Sequence, residues 1–435
     1  MGRKGGDLVL ARADQVAGLM SRQRSKAVLL IIDGLGDLPV AALGGQTPLE
    51  AARTPNLDRL AAAGEYGLVD PILPGEVPNT DSGVGLLLGL VPEQAARLQR
   101  GPVEAAGAGR PLREGEVAVR ANFATLQEAP DGLQVMDRRA GRITSGTREL
   151  AAAVNGLDLG GGLRAEFRST DQHRGVLILS GPGLDPAVSD TDPGDIAGPG
   201  YLRRCEALRP AAARTAAGIN EFVLHAHRTL LGHAVNLRRE AAGQPPANGI
   251  ITRGAGAWFR PDNELLELGL RVAVVTGCNT VLGLARLFDF DTLVEPGFTA
   301  SVDTDLGGKV AAALRALATH DIVYVHVKGP DLCAHDRLPL AKRDFLERLD
   351  LALAPLLAAG IIVAMTSDHT TDSNLGWHTG DPVPSLIFAP SRQPSALAVS
   401  PPTAPSFGES LCRQGNLPRQ RSHQFLRRVL AAMGY

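Results

Sequence analysis

Short, unbroken apolar runs rich in Val and Ile, each ending in a polar residue or glycine, constrain this chain more than any other feature. They are Ala27–Ile32, Val176–Leu179, Gly249–Thr252, Val272–Thr276, Ile322–Val327, Ile361–Thr366 and Ser385–Phe388. Runs of that length without alternation read as strands buried on both faces, the kind that build a parallel sheet. Helical patterns alternate with them. Thr54–Gly64 has a Thr cap, Pro at the first helical position and a closing Gly. Val310–Thr319, Leu340–Leu357 and Ser422–Met433 are further helical patterns. This alternation predicts an α/β fold with an open, mostly parallel sheet and helices on both faces.

The middle of the chain differs. Between Gly101 and Asp195, Gly, Pro and Arg are frequent and periodicity weakens. Ala121–Leu126 and Arg174–Gly181 look like strands of a smaller α+β unit. We therefore expect an inserted cap at residues 116–195, flanked by residues 1–115 and 196–435 of a main domain. The Pro/Gly-rich run around Asp192–Gly200 would be the return linker.

With 44% hydrophobic and 21% charged residues, the chain can bury a sizeable core. A formal net charge of −2 and the lack of a Lys/Arg block argue against a nucleic-acid surface or a membrane patch. Arg carries most of the positive charge, so an isolated Arg says little until a motif surrounds it. Cys205, Cys278, Cys333 and Cys412 are far apart, which argues against a disulfide framework and a cysteine zinc site. The N-terminal stretch MGRKGGDLVLARADQ has no apolar segment of signal-peptide length, and a soluble cytoplasmic protein is expected. Nothing in the pattern sets an oligomeric state.

Three of the predicted strands end in metal-type ligands. Asp33 follows VLLII, Asp331 and His335 follow IVYVHVKGP, and Asp368 and His369 follow IIVAMTS, with His378 a short way on in NLGWHTGDPVP. Ligands in an open parallel sheet bind outside the carboxyl ends of the strands. Carboxylate with imidazole suits zinc, manganese or similar divalent ions. Six such groups fit two ions, and a pair about 3.5–4 Å apart can stabilise both oxygens of an in-line displacement. The other histidines, His225, His227, His233, His320, His326 and His423, lack this context and read as structural. His173 is held apart from that reading.

A fourth element is EVPNTDSGVGLLLGL, Glu76–Leu90, a turn leading into a helix start rich in small residues. A hydroxyl there meets the positive end of the helix dipole, and a metal ion could turn it into a nucleophile. Thr80 and Ser82 are the candidates, and either could instead be an ordinary helix cap.

Taken together, these blocks resemble the archaeal-type, cofactor-independent phosphoglycerate mutases of the alkaline-phosphatase superfamily. The resemblance runs from about Lys26 to the C-terminus through IIDGLGD, TPLEAARTPNLDRLAAAGE, RGPVEAAGAG, ANFATL, DRRAGRI, HRGVLILSG, DTDPG, PPANGIITRGAG, VHVKGPDLCAHD and HTGDPVPSLI. It implies an alkaline-phosphatase-like domain split by a cap. It also implies two divalent ions (Mn2+, Mg2+ or Zn2+), with no requirement for 2,3-bisphosphoglycerate. Asp33, the nucleophile, Asp368 and His369 would hold one ion, and Asp331, His335 and His378 the other. The substrate would be a small phosphate, 3-phosphoglycerate isomerised to 2-phosphoglycerate. Arg138 and Arg142 in MDRRAGRI, with Arg174, Arg253 and Lys328, are the candidates to bind it, since Arg pairs bidentately with phosphate and carboxylate.

The chain departs from the family at the nucleophile segment. Members usually read PGSDTAHLSLLG, and this chain reads PNTDSGVGLLLG from Pro78 to Gly89. A gapless match puts Thr80 on the family's Ser, with Ser82 in an Asp-Ser pair as the alternative. Val84 stands where the family usually has His, and TSDHTTDS replaces the commoner TGDHSTPC. These changes leave a second reading open: a related two-metal phosphatase or phosphotransferase acting on another small phosphate, a phosphonate or a hydroxy amino acid such as homoserine. A non-catalytic relative would be expected to lack metal ligands, and a sulfatase would need a Cys-x-Pro-x-Arg segment, which is missing here.

Overall fold

A computed structural model describes residues 24–194, 200–390 and 406–435. The N-terminal stretch MGRKGGDLVLARADQ and residues 195–199 of the expected linker lie outside them.

The main sheet is built from β1 (Ala27–Ile32), β2 (Glu65–Asp70), β10 (Val272–Val275), β11 (Asp291–Leu293), β12 (Ile322–Val327), β13 (Ile362–Thr366), β16 (Val383–Phe388) and β17 (Gln420–Arg421). The remaining strands fall between them: β3 (Val117–Ala129), β4 (Gly132–Asp137), β5 (Leu157–Asp158), β6 (Arg164–Ser169), β7 (Arg174–Ser180), β8 (Gly200–Tyr201), β9 (Gly249–Ala257), β14 (Thr370–Asp372) and β15 (Trp377–Thr379). The main sheet has the order β11-β10-β12-β1-β13-β16-β2-β17. β1 lies at its centre, parallel to β12 with Ile32 opposite Val327 and parallel to β13 with Ile31 opposite Thr366. That register brings the residues after all three strands to one edge. β16 differs from expectation in running antiparallel to both β13 and β2.

Alternate residues of β1 feed opposite cores. Ala27, Leu29 and Ile31 pack with helices α2 (Thr80–Leu87), α3 (Arg100–Gly107), α5 (Asn279–Leu287) and α8 (Ser422–Met433). Val28, Leu30 and Ile32 pack with α1 (Pro55–Ala62) and α7 (Pro339–Leu357). The start of α1 corrects one expectation. Thr54 makes no side-chain cap bond; the Asp350 carboxylate of α7 accepts instead from the N–H groups of Asn56 (3.0 Å) and Leu57 (2.8 Å).

The second sheet corrects another. Its order is β5-β6-β7-β3-β4-β8, with β9 on the other side of β3. Val176–Leu179 and Gly249–Thr252, read above as parallel strands, are antiparallel neighbours of β3. The chain therefore does not return to the main sheet at residue 196: α4 (Ala213–Leu231) covers one face of the second sheet, and β9 completes it. The opposite face rests on α3, where Ala105 meets Ala118, Val176 and Ile178. Since Val103 of the same helix packs into the main core, α3 joins the two layers. All four cysteines are buried and free. Among the described residues, no helix is long and apolar enough to cross a membrane.

Candidate active site

The three ligand-bearing strand ends meet at the edge set by the β1 register. Asp33 follows β1 directly, its N–H donating to the carbonyl of Val327 (2.9 Å). After β12 the chain enters the short helix α6 (Gly329–His335), whose spacing puts Asp331 and His335 on one side, His335 Nε2 to Asp331 Oδ1 at 3.2 Å. Asp368 and His369 follow β13. The hairpin β14–β15 then folds back so that His378 stands opposite Thr371. Gly34, at φ +66°, lets these pieces close: a Cβ there would come within 2.8 Å of Thr371 Oγ1 and 2.9 Å of Asp331 Cα.

Each imidazole is oriented by its Nδ1. His335 Nδ1–H donates to the carbonyl of Gly376 (2.8 Å) and His378 Nδ1–H to that of Pro78 (3.1 Å). Thr371 Oγ1 donates to Asp331 Oδ1 (3.1 Å), so its oxygen accepts from His369 Nδ1–H (3.0 Å). With each Nδ1 so engaged, all three Nε2 atoms face carboxylates, an arrangement typical of metal-ligating histidines once a cation displaces any proton there. Asp33 Oδ1, Asp368 Oδ2 and His369 Nε2 are buried without a hydrogen-bond partner, with His369 Nε2 3.3 Å from Asp33 and 3.1 Å from Asp368. Unpaired polar atoms in a dry site are costly, and a cation among them removes that cost. The residues thus fit a divalent ion. Two groups of ligand atoms are close enough to share one: Asp331, His335 and His378, and Asp33, Asp331 and His369. The first is the set the resemblance implied for one ion; in the second, Asp331 lies close to Asp33 and His369, and Asp368 is 3.1 Å from His369.

Charge gives the same answer. Three carboxylates, Asp33, Asp331 and Asp368, are buried together. Lys328 Nζ reaches Asp33 Oδ2 (2.9 Å) and Asp331 Oδ2 (2.6 Å). Burial opposes ionisation of Asp33 and Asp331 most strongly, but the Lys328 ammonium together with hydrogen bonds from the surrounding histidines (His326 and His369 for Asp33, His335 and His378 for Asp331) outweighs it and holds both carboxyls far below their ordinary range. Burial likewise opposes a charged His369, yet Asp368 and Asp33 push its imidazole up to about 10. The cluster attracts positive charge beyond what one lysine supplies.

A cavity of about 1020 Å³ opens above this floor. Thr80 and Asp81 line it, at the first turn of α2, whose N-terminus Asn79 caps by accepting from the Ser82 N–H (3.1 Å). Ser82 is not part of the lining, and its hydroxyl donates to the Asn79 carbonyl (3.1 Å). Gly83 lets the helix end approach the metal ligands, because a Cβ there would run into the Asp368 carbonyl. Val84 is fully buried in the main core, so its departure from the family pattern bears on packing.

Of the expected substrate residues, Arg138, Arg142, Arg174, Arg253 and Lys328 all line the cavity. Arg138 is held bidentately by Asp192 (2.7 and 2.8 Å), and Arg142 pairs with Asp336 (2.7 Å), the neighbour of His335. Lys328 is engaged by the two carboxylates. Arg174 and Arg253 each bury an Nε without a partner. Burial, and then the nearby charges of Arg120 and Arg100, push the Arg253 guanidinium down to about 9.

Sequence reasoning missed Arg100, Arg120, Asn122, His326 and Thr371. Arg100 pairs with Asp81 (3.1 Å), and Arg120 lies 3.5 Å from Glu104 with its Nε otherwise unpaired. His326, read as structural, has Nε2 3.1 Å from Asp33 Oδ2. Its signal was a histidine within an otherwise apolar strand.

A buried carboxylate–imidazole cluster beneath a cavity lined by arginines and a helix N-terminus defines a class of site suited to divalent metals and phosphate chemistry. Comparison with known proteins narrows this. Residues 61–236 match the family model described as 2,3-bisphosphoglycerate-independent phosphoglycerate mutase. A protein of that name from Ignicoccus hospitalis is 40% identical over 397 residues, 90% of this chain and 94% of the relative. Another, from Methanopyrus kandleri, is 42% identical over 371 residues, 83% of this chain and 87% of the relative. Among solved structures, a Pyrococcus horikoshii protein superposes with a TM-score of 0.75 at 30% identity, covering 94% of this chain and 97% of its own. A cofactor-independent phosphoglycerate mutase from Thermoplasma acidophilum gives 0.62 at 31% identity, covering 94% and 100%. The chain belongs to the 2,3-bisphosphoglycerate-independent phosphoglycerate mutase family and is an enzyme of that isomerase class.

Proposed function

We propose that the chain is a metal-dependent phosphomutase interconverting 3-phosphoglycerate and 2-phosphoglycerate through a phosphoenzyme on Thr80. The observation that carries this reading is the placement of Thr80: it lines the cavity at a helix start whose Pro78 carbonyl accepts from His378 and whose Asp81 pairs with Arg100, while the Ser82 hydroxyl is turned back onto Asn79. The substrate pair is supported by the names of the relatives.

Asp33, Thr80, Asp331, His335, Asp368, His369 and His378 would hold two divalent ions. When bound, these ions would lower the pKa of the Thr80 hydroxyl and neutralise charge on the transferring group. Arg120, Arg174 and Arg253 would bind the phosphate and carboxylate through donors that now lack partners. In the first half-reaction the bond from phosphorus to the substrate oxygen breaks as one to Thr80 Oγ1 forms, and the leaving oxygen takes up a proton. In the second, the other glycerate hydroxyl gives up its proton and its oxygen receives the phosphoryl group, restoring Thr80. The second sheet, which we take as the cap from Val117 to Ala257, would keep water from the phosphoenzyme.

Phosphorus NMR of 3-phosphoglycerate with the purified protein and Mn2+ tests this. We expect 2-phosphoglycerate to form, a loss of at least about a thousandfold in Thr80→Ala, and near-normal activity in Ser82→Ala. Release of inorganic phosphate alone would mean a phosphatase, and full activity in Thr80→Ala would remove the assigned nucleophile.

A further inference from the structure

The cap wall of the cavity is made almost entirely of hydrogen-bond donors, because a guanidinium has no acceptor. The exceptions are Asn122, Gln172 and His173, and two of them are buried. Asn122 on β3 and His173, just before β7, are 5% and 6% exposed and line the cavity. Asn122 Oδ1 and His173 Nδ1 are both buried without a hydrogen-bond partner. Both are anchored where they stand, the amide by its own bond and the histidine through its backbone. The Asn122 amide is oriented by its Nδ2, which donates to the Arg138 carbonyl (3.3 Å), and the His173 backbone carbonyl accepts from the Phe123 N–H (2.7 Å). Burial, followed by the charges of Arg174, Arg139, Arg120 and Arg142, pushes the His173 imidazole down to about 3, so the ring is neutral and keeps a lone pair.

Phosphate and carboxylate oxygens have no use for an acceptor, whereas a hydroxyl does. Resting on the mutase reading above, we propose that Asn122 and His173 form a hydroxyl-binding pair that holds the glycerate intermediate in the cavity by accepting from its two hydroxyls. Phosphoglycerate offers one free hydroxyl, and the dephosphorylated intermediate offers two. The pair therefore grips most fully at the stage when loss of the intermediate would turn a mutase into a phosphatase. A buried acceptor left unpaired is costly, which gives the site reason to prefer a hydroxy acid.

The test follows the fate of the intermediate in the full-length, metal-loaded enzyme. 3-Phosphoglycerate is turned over in excess isotopically labelled glycerate, and label entering phosphoglycerate is measured together with inorganic phosphate released. The wild type should isomerise with little of either. His173→Phe and Asn122→Leu should each raise the escape per turnover about tenfold or more, and His173→Asn, which can put an amide oxygen near the lost nitrogen, should recover part of the retention. Metal binding and circular dichroism of each variant serve as the fold check, and either position alone suffices if the other variant does not fold. Variants that isomerise more slowly but retain glycerate as tightly as the wild type would overturn the proposal. A wild type that does not isomerise at all would instead defeat the mutase reading.

Discussion

Thr371→Val is the sharpest test of the metal centre, because it deletes one oxygen and nearly keeps the shape. Thr371 is fully buried, and its hydroxyl is the only group among the described residues that touches both His369 Nδ1 and Asp331 Oδ1. It fixes the His369 tautomer in one candidate ion site and steadies the carboxylate shared with the other. Removing it strands a donor on His369 and strips one charge-assisted bond from Asp331. A hydrogen bond to a charged group contributes about 1.5–3 kcal/mol. Loss of such a supporting partner typically lowers metal affinity about 10–100-fold, or about 1.4–2.8 kcal/mol. Calorimetric titration of the metal-free protein with Mn2+ measures this directly, without recourse to activity. Affinity within about twofold of the wild type would show that Thr371 does not orient the ligands, and the tautomer argument would fall with it.

Lys342 and Asp37 form a fully buried ion pair (2.7 Å) under the ligand loops, with Lys342 also donating to the carbonyls of Gly36 and Thr371. Lys342→Met should cost about 3–5 kcal/mol in urea unfolding, with part recovered in the double variant with Asp37→Asn. Burial pushes the Glu409 carboxyl up to about 7 against the bonds it accepts from Thr47 and Asp37, so between about pH 4.5 and 7 the folded protein holds a proton that the unfolded chain has released. Stability is therefore highest at the acid end of that window for this group and falls by about 3 kcal/mol as pH rises through it; Glu409→Gln should flatten the slope. Removal of divalent ions by chelation should lower the melting temperature, and Mn2+ at a hundred times its Kd should restore about 2.7 kcal/mol.

The strands that carry the ligands were legible because the centre of a parallel sheet demands uninterrupted apolar residues, and Asp33, Asp368 and, four residues on, Asp331 stand just beyond the ends of such runs. The same criterion gave the wrong direction to Val176–Leu179, whose place in the smaller unit was expected, and both the wrong direction and the wrong sheet to Gly249–Thr252. β7 is antiparallel, yet α3 covers one of its faces and the α4 side of the cap core covers the other, so it too reads as a continuous apolar run. A run records burial on both faces and says nothing of strand direction. The extent of the cap was hidden for a related reason. Residues 213–231 form an amphipathic helix whose buried side would suit either sheet, and only the pairing of β9 with β3 decides between them. Arg100 and Arg120 went unread because arginine is common in this chain, and a guanidinium becomes informative only when it is buried beside others.

That crowding bears on how the two halves of the site act on each other. The floor holds carboxylates in excess of its cations, and the wall holds guanidiniums whose Nε atoms lack partners. One ion pair, Arg142 with Asp336, already links wall to floor beside His335. A bound phosphate would neutralise the wall and offer oxygens to ions on the floor. Ions on the floor would in turn lessen the repulsion between its carboxylates and an arriving phosphate. Binding of each should therefore favour the other, and the coupling must be reciprocal, typically about 1–3 kcal/mol. Inorganic phosphate titrated into the protein should bind about 5–150-fold more tightly with Mn2+ present. Equal affinity with and without the ion would mean that wall and floor work as separate sites.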